Sequence, residues 1–193
     1  MIVCLCGEMQ SGKSTIAQYL VDNYGFKKLS FAGKMKSELS KHFKIPIEHF
    51  GIDEEKKRTR KFKITQQLLC NLSTAFDIPM MILKDDLKEV NSLRELLQII
   101  GTNYIRATDE YAHIRATLKD LDNNCNYVVD DCRFANEVMM SDLSIWLNRE
   151  GSYGSNHPSE QLNKNLVDME LDNNRNIEEV AKEIMLIIEE NFN

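Results

Sequence analysis

Two glycines, a lysine and a hydroxyl residue stand at fixed spacing close to the beginning of the chain. The segment reads Gly7-Glu8-Met9-Gln10-Ser11-Gly12-Lys13-Ser14 and fits the pattern G-x-x-x-x-G-K-[ST] at every defined position. Glycine lets the backbone turn tightly enough for several N–H groups to converge on phosphate oxygens. The pattern predicts a loop that binds a nucleoside triphosphate, with Lys13 at the β- and γ-phosphates and the Ser14 hydroxyl on Mg²⁺.

The segments on either side of this loop have the character that such a loop requires. Residues 2–6 are wholly apolar, which is typical of a strand buried in a parallel sheet. Residues 14–24 carry apolar side chains at helical spacing, and Gly25 ends the predicted helix. A helix that begins at the loop adds unpaired N–H groups and its positive dipole end. The residues predicted to bind ATP here are Gly7, Gln10, Ser11, Gly12, Lys13, Ser14 and Thr15.

A second candidate site follows another apolar stretch. Residues 126–133 read NYVVDDCR, so an apolar strand is followed by two carboxylates and an arginine. An acidic residue at the end of a buried strand is what a P-loop enzyme uses to hold Mg²⁺ or its waters. A turn, which aspartate also favours, is the alternative explanation.

Predicted strands and helices alternate along the chain, which indicates an α/β protein. Strands are predicted at 2–6, 28–31, 127–130, 145–147 and 166–171, and helices at 14–24, 34–43, 65–76, 92–100, 109–121 and 177–191. Ser92 is expected to cap the helix at 92–100 and Gly101 to end it. No repeat or linker divides the sequence, so we expect one domain over residues 1–193 with a mainly helical insertion at about 44–120.

The composition argues against several classes of protein. With 24 basic and 30 acidic side chains the net charge is −6, unlike that of a general nucleic-acid binder. No run approaches the ~20 apolar residues of a membrane span, and no signal peptide is predicted. Five cysteines without disulfide spacing indicate free thiols in a reducing compartment, the cytoplasm, or the host cytoplasm for a viral protein. A zinc site of Cys4, Cys6, Cys125 and Cys132 is an alternative, although Cys4 and Cys6 fit better as small buried side chains.

Several segments resemble the signature of bacteriophage-type deoxynucleoside monophosphate kinases. Residues 131–137 (DCRFANE) resemble that family's D-x-R-[FY]-x-N-E, residues 94–102 (RELLQIIGT) its R-x-L-L-Q-x-x-G-T, and residues 157–160 (HPSE) its H-x-S-E. Residues 31–36 (FAGKMK) resemble F-A-x-x-L-K, and Asn173 stands at the family's N-D-G-S turn. The matches keep the family's order and leave residues 44–90 unmatched. Arg175 replaces the glycine of the last turn, and Tyr111 stands where tryptophan is common.

The resemblance implies a three-layer α/β/α P-loop kinase fold with a central parallel sheet and a helical acceptor and lid region. It implies transfer of the γ-phosphoryl of ATP to a (deoxy)nucleoside monophosphate, a reaction that depends on positioning and on neutralising charge. The implied catalytic residues are Lys13, Arg94, Arg106, Asp131 and Arg133. The implied acceptor-binding residues are Phe31, Lys36, Arg94, Gln98, Arg106 and Arg133, and Arg149 and Asn173 join the ATP site. Mg²⁺ would be held by Ser14 and Asp131, because Asp131 rather than Asp130 stands two residues before Arg133.

Some assignments stay open. A single arginine is often a solvated surface residue, and Gln98 fits an interhelical hydrogen bond equally well. His157 and Glu160 fit a catalytic or a structural role. The acceptor base and sugar are not determined, and a homodimer is left open. The alternative functions are another small-molecule P-loop kinase, similar to phosphomevalonate kinase, and a nucleotide-binding regulatory module without turnover.

Overall fold

The computed structural model of the protein describes residues 1–83, 89–119, 121–154 and 162–192. The chain forms two compact units. The first, the sheet unit, contains Met1–Ser30 and Leu121–Asn193, and the second, the helical unit, contains Phe31–Asp120. The division into one domain with an insertion at 44–120 stays a prediction.

The described elements follow the predicted alternation of strands and helices. The strands are β1 (Ile2–Cys6), β2 (Lys27–Leu29), β3 (Phe62–Lys63), β4 (Glu89–Val90), β5 (Tyr127–Val129), β6 (Leu143–Asn148) and β7 (Met169–Asp172). The α-helices are α1 (Lys13–Tyr24), α2 (Gly33–Phe43), α3 (Asp53–Lys57), α4 (Gln66–Phe76), α5 (Leu93–Gln98), α6 (Ala112–Leu118), α7 (Ala135–Val138) and α8 (Ile177–Phe192). Short 3₁₀ helices cover Ile47–Phe50 and Lys164–Leu166, and a π-helix covers Ile99–Arg106. Within the described residues, no helix is both long and apolar enough to cross a bilayer.

A five-stranded parallel sheet organises the sheet unit. Its strand order is β2-β5-β1-β6-β7, so β1 is hydrogen-bonded on both sides. Val3 and Leu5 alternate with Cys4 and Cys6 along β1, and Val3 and Leu5 join the apolar core that contains residues of α1 and α8. The carboxyl ends of parallel strands meet at one edge of a sheet, which is where ligands bind in such folds. The predicted fold is confirmed: a central parallel sheet flanked by helices, with the glycine-rich loop directly after the central strand.

The helical unit has a core of its own, to which α2, α4, α5 and the π-helix contribute. Tyr104 is fully buried in it, and its hydroxyl lies 2.7 Å from Ser73 Oγ and donates to the Leu69 carbonyl at 3.0 Å. These bonds satisfy a polar group that burial would otherwise penalise by about 1–3 kcal/mol. A two-stranded antiparallel ribbon of β3 and β4 completes the described part of this unit.

One predicted helix end is wrong. The Ser92 cap is confirmed, since the Ser92 hydroxyl accepts from the Glu95 N–H at 3.2 Å. Gly101, however, does not end the helix, because α5 continues directly into the π-helix. A Cβ at Gly101 would lie 3.3 Å from Met35 Sδ, so glycine here permits close packing of α2 rather than a left-handed cap. The last predicted strand also starts later, at Met169, after the 3₁₀ turn.

Candidate active site

The glycine-rich loop has a backbone that requires glycine at both ends. Gly7 and Gly12 have φ of 137° and 89°, in the left-handed region that side chains with a Cβ rarely adopt. A Cβ at Gly7 would lie 2.8 Å from the Leu147 carbonyl, and one at Gly12 would lie 2.3 Å from Asn173 Nδ2. Both positions therefore require glycine, because of the backbone conformation and because a Cβ atom would lie too close to its neighbours.

Lys13 lies folded over this loop. Its Nζ donates to the carbonyls of Gly7 at 2.9 Å and Glu8 at 2.5 Å, and to Ser11 Oγ at 3.2 Å. The ammonium group is thereby held at the mouth of the loop. Ser14 and Thr15 lie in the first turn of α1 and are exposed.

Three other parts of the sheet unit contact the loop. The side chain of Asn173, which is only 7% exposed, donates from Nδ2 to the Ser11 carbonyl at 2.7 Å. Met9 pairs with Tyr153 through two backbone hydrogen bonds of 3.0 and 3.2 Å. Arg149 reaches Gly12, since Arg149 Nη1 would lie 3.3 Å from a Cβ there. The predicted ATP residues Arg149 and Asn173 are thus brought to the loop, Asn173 by its side chain.

The two aspartates after β5 have different partners. Asp130 Oδ2 lies 2.8 Å from Lys28 Nζ, whereas Asp131 Oδ2 accepts from the Ser30 hydroxyl at 2.6 Å. β5 pairs with β1, so both carboxylates follow the strand next to the one that leads into the loop. A small cavity at the loop includes Gly7, Lys13, Asp130, Cys132, Arg133 and Trp146 in its lining. Asp130, rather than the predicted metal ligand Asp131, is among the residues that line it.

The backbone at Arg133 is held by the carboxylate of Glu137, a residue for which the sequence predicted no role. Glu137 Oε2 accepts from the backbone N–H groups of Arg133 at 2.8 Å and Phe134 at 3.1 Å. Glu137 is 3% exposed, and its side chain accepts from the backbone of the capping residue Phe134, which is the glutamate half of a capping box. The usual sequence pattern of a capping box, S/T-x-x-E, is absent because Phe134 stands at its first position, so this contact is seen only in the structure.

Two features of the cavity were not foreseen. Trp146, the single tryptophan of the chain, lies in its lining, between the buried residues Ile145 and Leu147 of β6. Hydrogen bonds with Cys4 and Cys6, together with burial, raise the pKa of the Cys132 thiol. The prediction that Cys4 and Cys6 are buried side chains is confirmed. The zinc alternative is not supported, because the described residues include no group of three or more His, Cys, Asp or Glu side chains that could hold a metal ion.

The remaining predicted site residues belong to the helical unit. They lie on α2 and its entry (Phe31 and Lys36) and on α5 and the π-helix (Arg94, Gln98 and Arg106). Arg94 Nη2 lies 3.5 Å from Asp53 Oδ1, and Arg106 Nη1 donates to the Glu110 carbonyl at 3.1 Å. A hydrogen bond from Lys56, and then the charges of Lys56 and Arg94, lower the pKa of Asp53. His157 and Glu160 lie outside the described residues.

Proteins similar to this chain include a viral protein and two solved structures. No family model matches the chain. A protein of Acanthamoeba polyphaga mimivirus named "Putative deoxynucleotide monophosphate kinase" is 26% identical over 210 residues, which cover 98% of this chain and 96% of that protein. The structure of TT1252 from Thermus thermophilus aligns with a TM-score of 0.50 and 11% identity over 100% of this chain and 98% of its own. Shikimate kinase from Aquifex aeolicus aligns with a TM-score of 0.49 and 15% identity over 99% and 98%.

The viral match spans nearly the full length of both proteins, so it includes the segments that carried the resemblance. The strand order β2-β5-β1-β6-β7 places the glycine-rich loop directly after the central strand of a parallel sheet. The resemblance to the deoxynucleoside monophosphate kinases is therefore confirmed at the level of sequence similarity, and the chain has a parallel α/β fold with the glycine-rich loop directly after its central strand.

Proposed function

We propose that this protein is an ATP-dependent kinase that converts a (deoxy)nucleoside monophosphate to the diphosphate. The observation that carries the proposal is the glycine-rich loop with Lys13 held across it by three hydrogen bonds. A loop of this kind, at the end of the central strand and the start of α1, offers backbone N–H groups to the phosphates of a nucleotide. The name of the mimivirus protein supports a deoxynucleotide as the acceptor.

The residues of the sheet unit suit the donor. Lys13 would exchange its carbonyl partners for phosphate oxygens, and Arg149 would add a second cation beside Gly12. The Ser14 hydroxyl and the Asp131 carboxylate are the hard oxygen ligands that Mg²⁺ accepts, and Mg²⁺ keeps waters and phosphate oxygens as its other ligands. When bound, Mg²⁺ neutralises charge between the β- and γ-phosphates. Ser14 and Asp131 fit a Mg²⁺ site in which waters and phosphate oxygens supply the other ligands.

The acceptor phosphate needs no general base, because its oxygen is already anionic. What it needs is positive charge near the transferred phosphoryl group, which Arg133 supplies from the cavity at Lys13. Arg94 and Arg106 supply the acceptor clamp. Arginine suits this role because its planar group binds phosphate oxygens in pairs and remains charged.

The test is formation of ADP with each common ribo- and deoxyribonucleoside monophosphate, with phosphomevalonate as a further acceptor. We expect ADP and the matching nucleoside diphosphate in equal amounts. Lys13→Ala should lower kcat by roughly 10²–10³, because it removes a preorganised cation. Lys34→Ala, an exposed lysine outside the loop, is the control. Tight ATP binding without acceptor-dependent ADP would favour a regulatory module, and turnover of phosphomevalonate alone would favour the other kinase class.

A further inference from the structure

The helix that carries Arg94 and Arg106 changes its winding between them. α5 is an α-helix, but from Ile99 to Arg106 it continues as a π-helix, and the Ala107 N–H bonds to the Thr102 carbonyl five residues back. π-helical turns are rare and are frequently found at functional sites. Eight residues of π-helix at this position therefore require a physical reason.

One effect of the π-helix is to keep the buried residues on one face of the helix. Ile100 and Ile105 are both 0% exposed. At about 100° per residue, an α-helix would place Ile105 roughly 140° around from Ile100. At the about 80° per residue of a π-helix, the two lie roughly 40° apart. The wider winding thus buries Ile105 with Ile100.

The same winding aligns four polar residues. Arg94, Gln98, Thr102 and Arg106 follow one another at four-residue intervals, and all four are partly exposed. In an α-helix each interval adds about 40°, so Arg106 would lie roughly 120° from Arg94. In the π-helix, a four-residue interval falls short of a full turn, so the side-chain direction rotates back. Arg106 therefore lies within about 30° of Arg94. We call these four residues the polar row, which runs straight along the helix opposite its core face.

Thr102 differs from two other helical threonines of the helical unit, Thr74 and Thr108. A threonine hydroxyl in a helix commonly donates to the carbonyl four residues back. Thr74 and Thr108 do so, at 3.1 Å to Cys70 and 2.7 Å to Tyr104. Within the part of the chain that the structure describes, the Thr102 hydroxyl makes no hydrogen bond. It stands in the row between Gln98 and Arg106.

A buried histidine supports the π-helix at the residue before Thr102. His113 is 5% exposed, and its Nε2 lies 3.4 Å from the Gly101 carbonyl. Its Nδ1 lies 3.2 Å from the Phe31 carbonyl. The ring therefore connects the π-helix to the entry of α2, where Met35 packs closely against Gly101. Such external contacts offset the poorer backbone bonding of the π-turn.

We propose that the π-helix exists to align the polar row as one binding edge for the acceptor, and that Thr102 is a further acceptor-binding residue. The proposal rests on the proposed function, because it names a contact of the same monophosphate. Arg94 and Arg106 give charge-assisted bonds to the acceptor phosphate. The Thr102 hydroxyl, between them, donates a hydrogen bond to the same phosphate.

The test compares three variants with dAMP, dGMP, dCMP and dTMP as acceptors. Thr102→Val removes the hydroxyl and keeps the side-chain shape, and it should raise the acceptor KM at least fivefold with the KM of ATP unchanged. Thr102→Ser keeps the hydroxyl and should stay within twofold of wild type. Asn103→Ala is the control, since Asn103 is exposed and lies about 80° further around the helix. Thermal midpoints establish that each variant is folded, and Thr102→Ala replaces Thr102→Val if valine is not tolerated.

An unchanged acceptor KM in the hydroxyl-free variant, with wild type active, would overturn the role of Thr102. An equal rise for the Thr102→Ser and Thr102→Val proteins would also overturn it, because the effect would then be one of packing. A wild-type protein that forms no ADP with any acceptor would instead remove the proposed function itself. The two failures are therefore distinguishable.

Discussion

The side-chain amide of Asn173 donates to the carbonyl of Ser11 across 162 positions of sequence, at 2.7 Å. The same Nδ2 occupies the space that a Cβ at Gly12 would need. The turn between β7 and α8 thus holds the glycine-rich loop in its left-handed turn. Asn173 is better described as a residue that positions the loop than as one whose side chain contacts ATP.

Asn173→Ala should therefore weaken ATP binding. It leaves the Ser11 carbonyl without this partner, a loss of about 1 kcal/mol, which corresponds to a three- to tenfold rise in the Kd of ATP. Isothermal titration with a non-hydrolysable ATP analogue measures it. Asn174→Ala is the matched control, because Asn174 Oδ1 accepts from the Glu150 N–H at 2.9 Å instead of from the loop. Equal Kd values for both variants and wild type would contradict the positioning role.

The second prediction concerns the two aspartates after β5. Asp131→Asn should abolish Mg²⁺-dependent transfer, while Asp130→Asn should have a mild effect, because Asp130 is paired with Lys28. The measurement is kcat as a function of Mg²⁺ concentration. Asp130 lines the cavity at Lys13, so the opposite ranking would assign the metal to Asp130.

The sequence predicted those parts of the protein that local patterns specify. The apolar strand β1, the loop from Gly7 to Ser14 and the cap at Ser92 each depend on a few adjacent residues. The continuation past Gly101 depends on Met35, far away in sequence, and the position of Asn173 depends on strand β7 lying next to β6. Contacts between distant segments leave no periodic signal in the sequence. The contacts that support the loop and the π-helix could therefore be found only in the structure.

The cysteines should differ in reactivity. Cys70 is exposed and Cys125 partly so, whereas Cys4, Cys6 and Cys132 are buried. A raised pKa keeps Cys132 in the unreactive thiol form at pH 8, because only the thiolate attacks. A disulfide reagent should modify Cys70 quickly in the native protein and all five cysteines in denaturant. Rapid native modification of Cys132, mapped by mass spectrometry, would contradict the buried cluster.

The last prediction concerns the acceptor phosphate and Arg94. Arg94 lies on the polar row, 3.5 Å from the Asp53 carboxylate. Loss of a charge-assisted bond costs about 1.5–3 kcal/mol, so Arg94→Ala should raise the acceptor KM tenfold or more. ATP affinity should stay nearly constant, since the loop that is proposed to bind ATP belongs to the sheet unit.

The Asp53→Asn variant distinguishes acceptor binding by Arg94 from a structural ion pair between Arg94 and Asp53. The pKa of Asp53 is lowered chiefly by its hydrogen bond from Lys56, so the carboxylate is charged at neutral pH and competes with the phosphate for Arg94. Removing that charge should leave the acceptor KM unchanged or lower it. If Asp53→Asn and Arg94→Ala instead raise the acceptor KM equally, with matching losses of thermal stability, Arg94 supports the fold of the helical unit and does not clamp the acceptor.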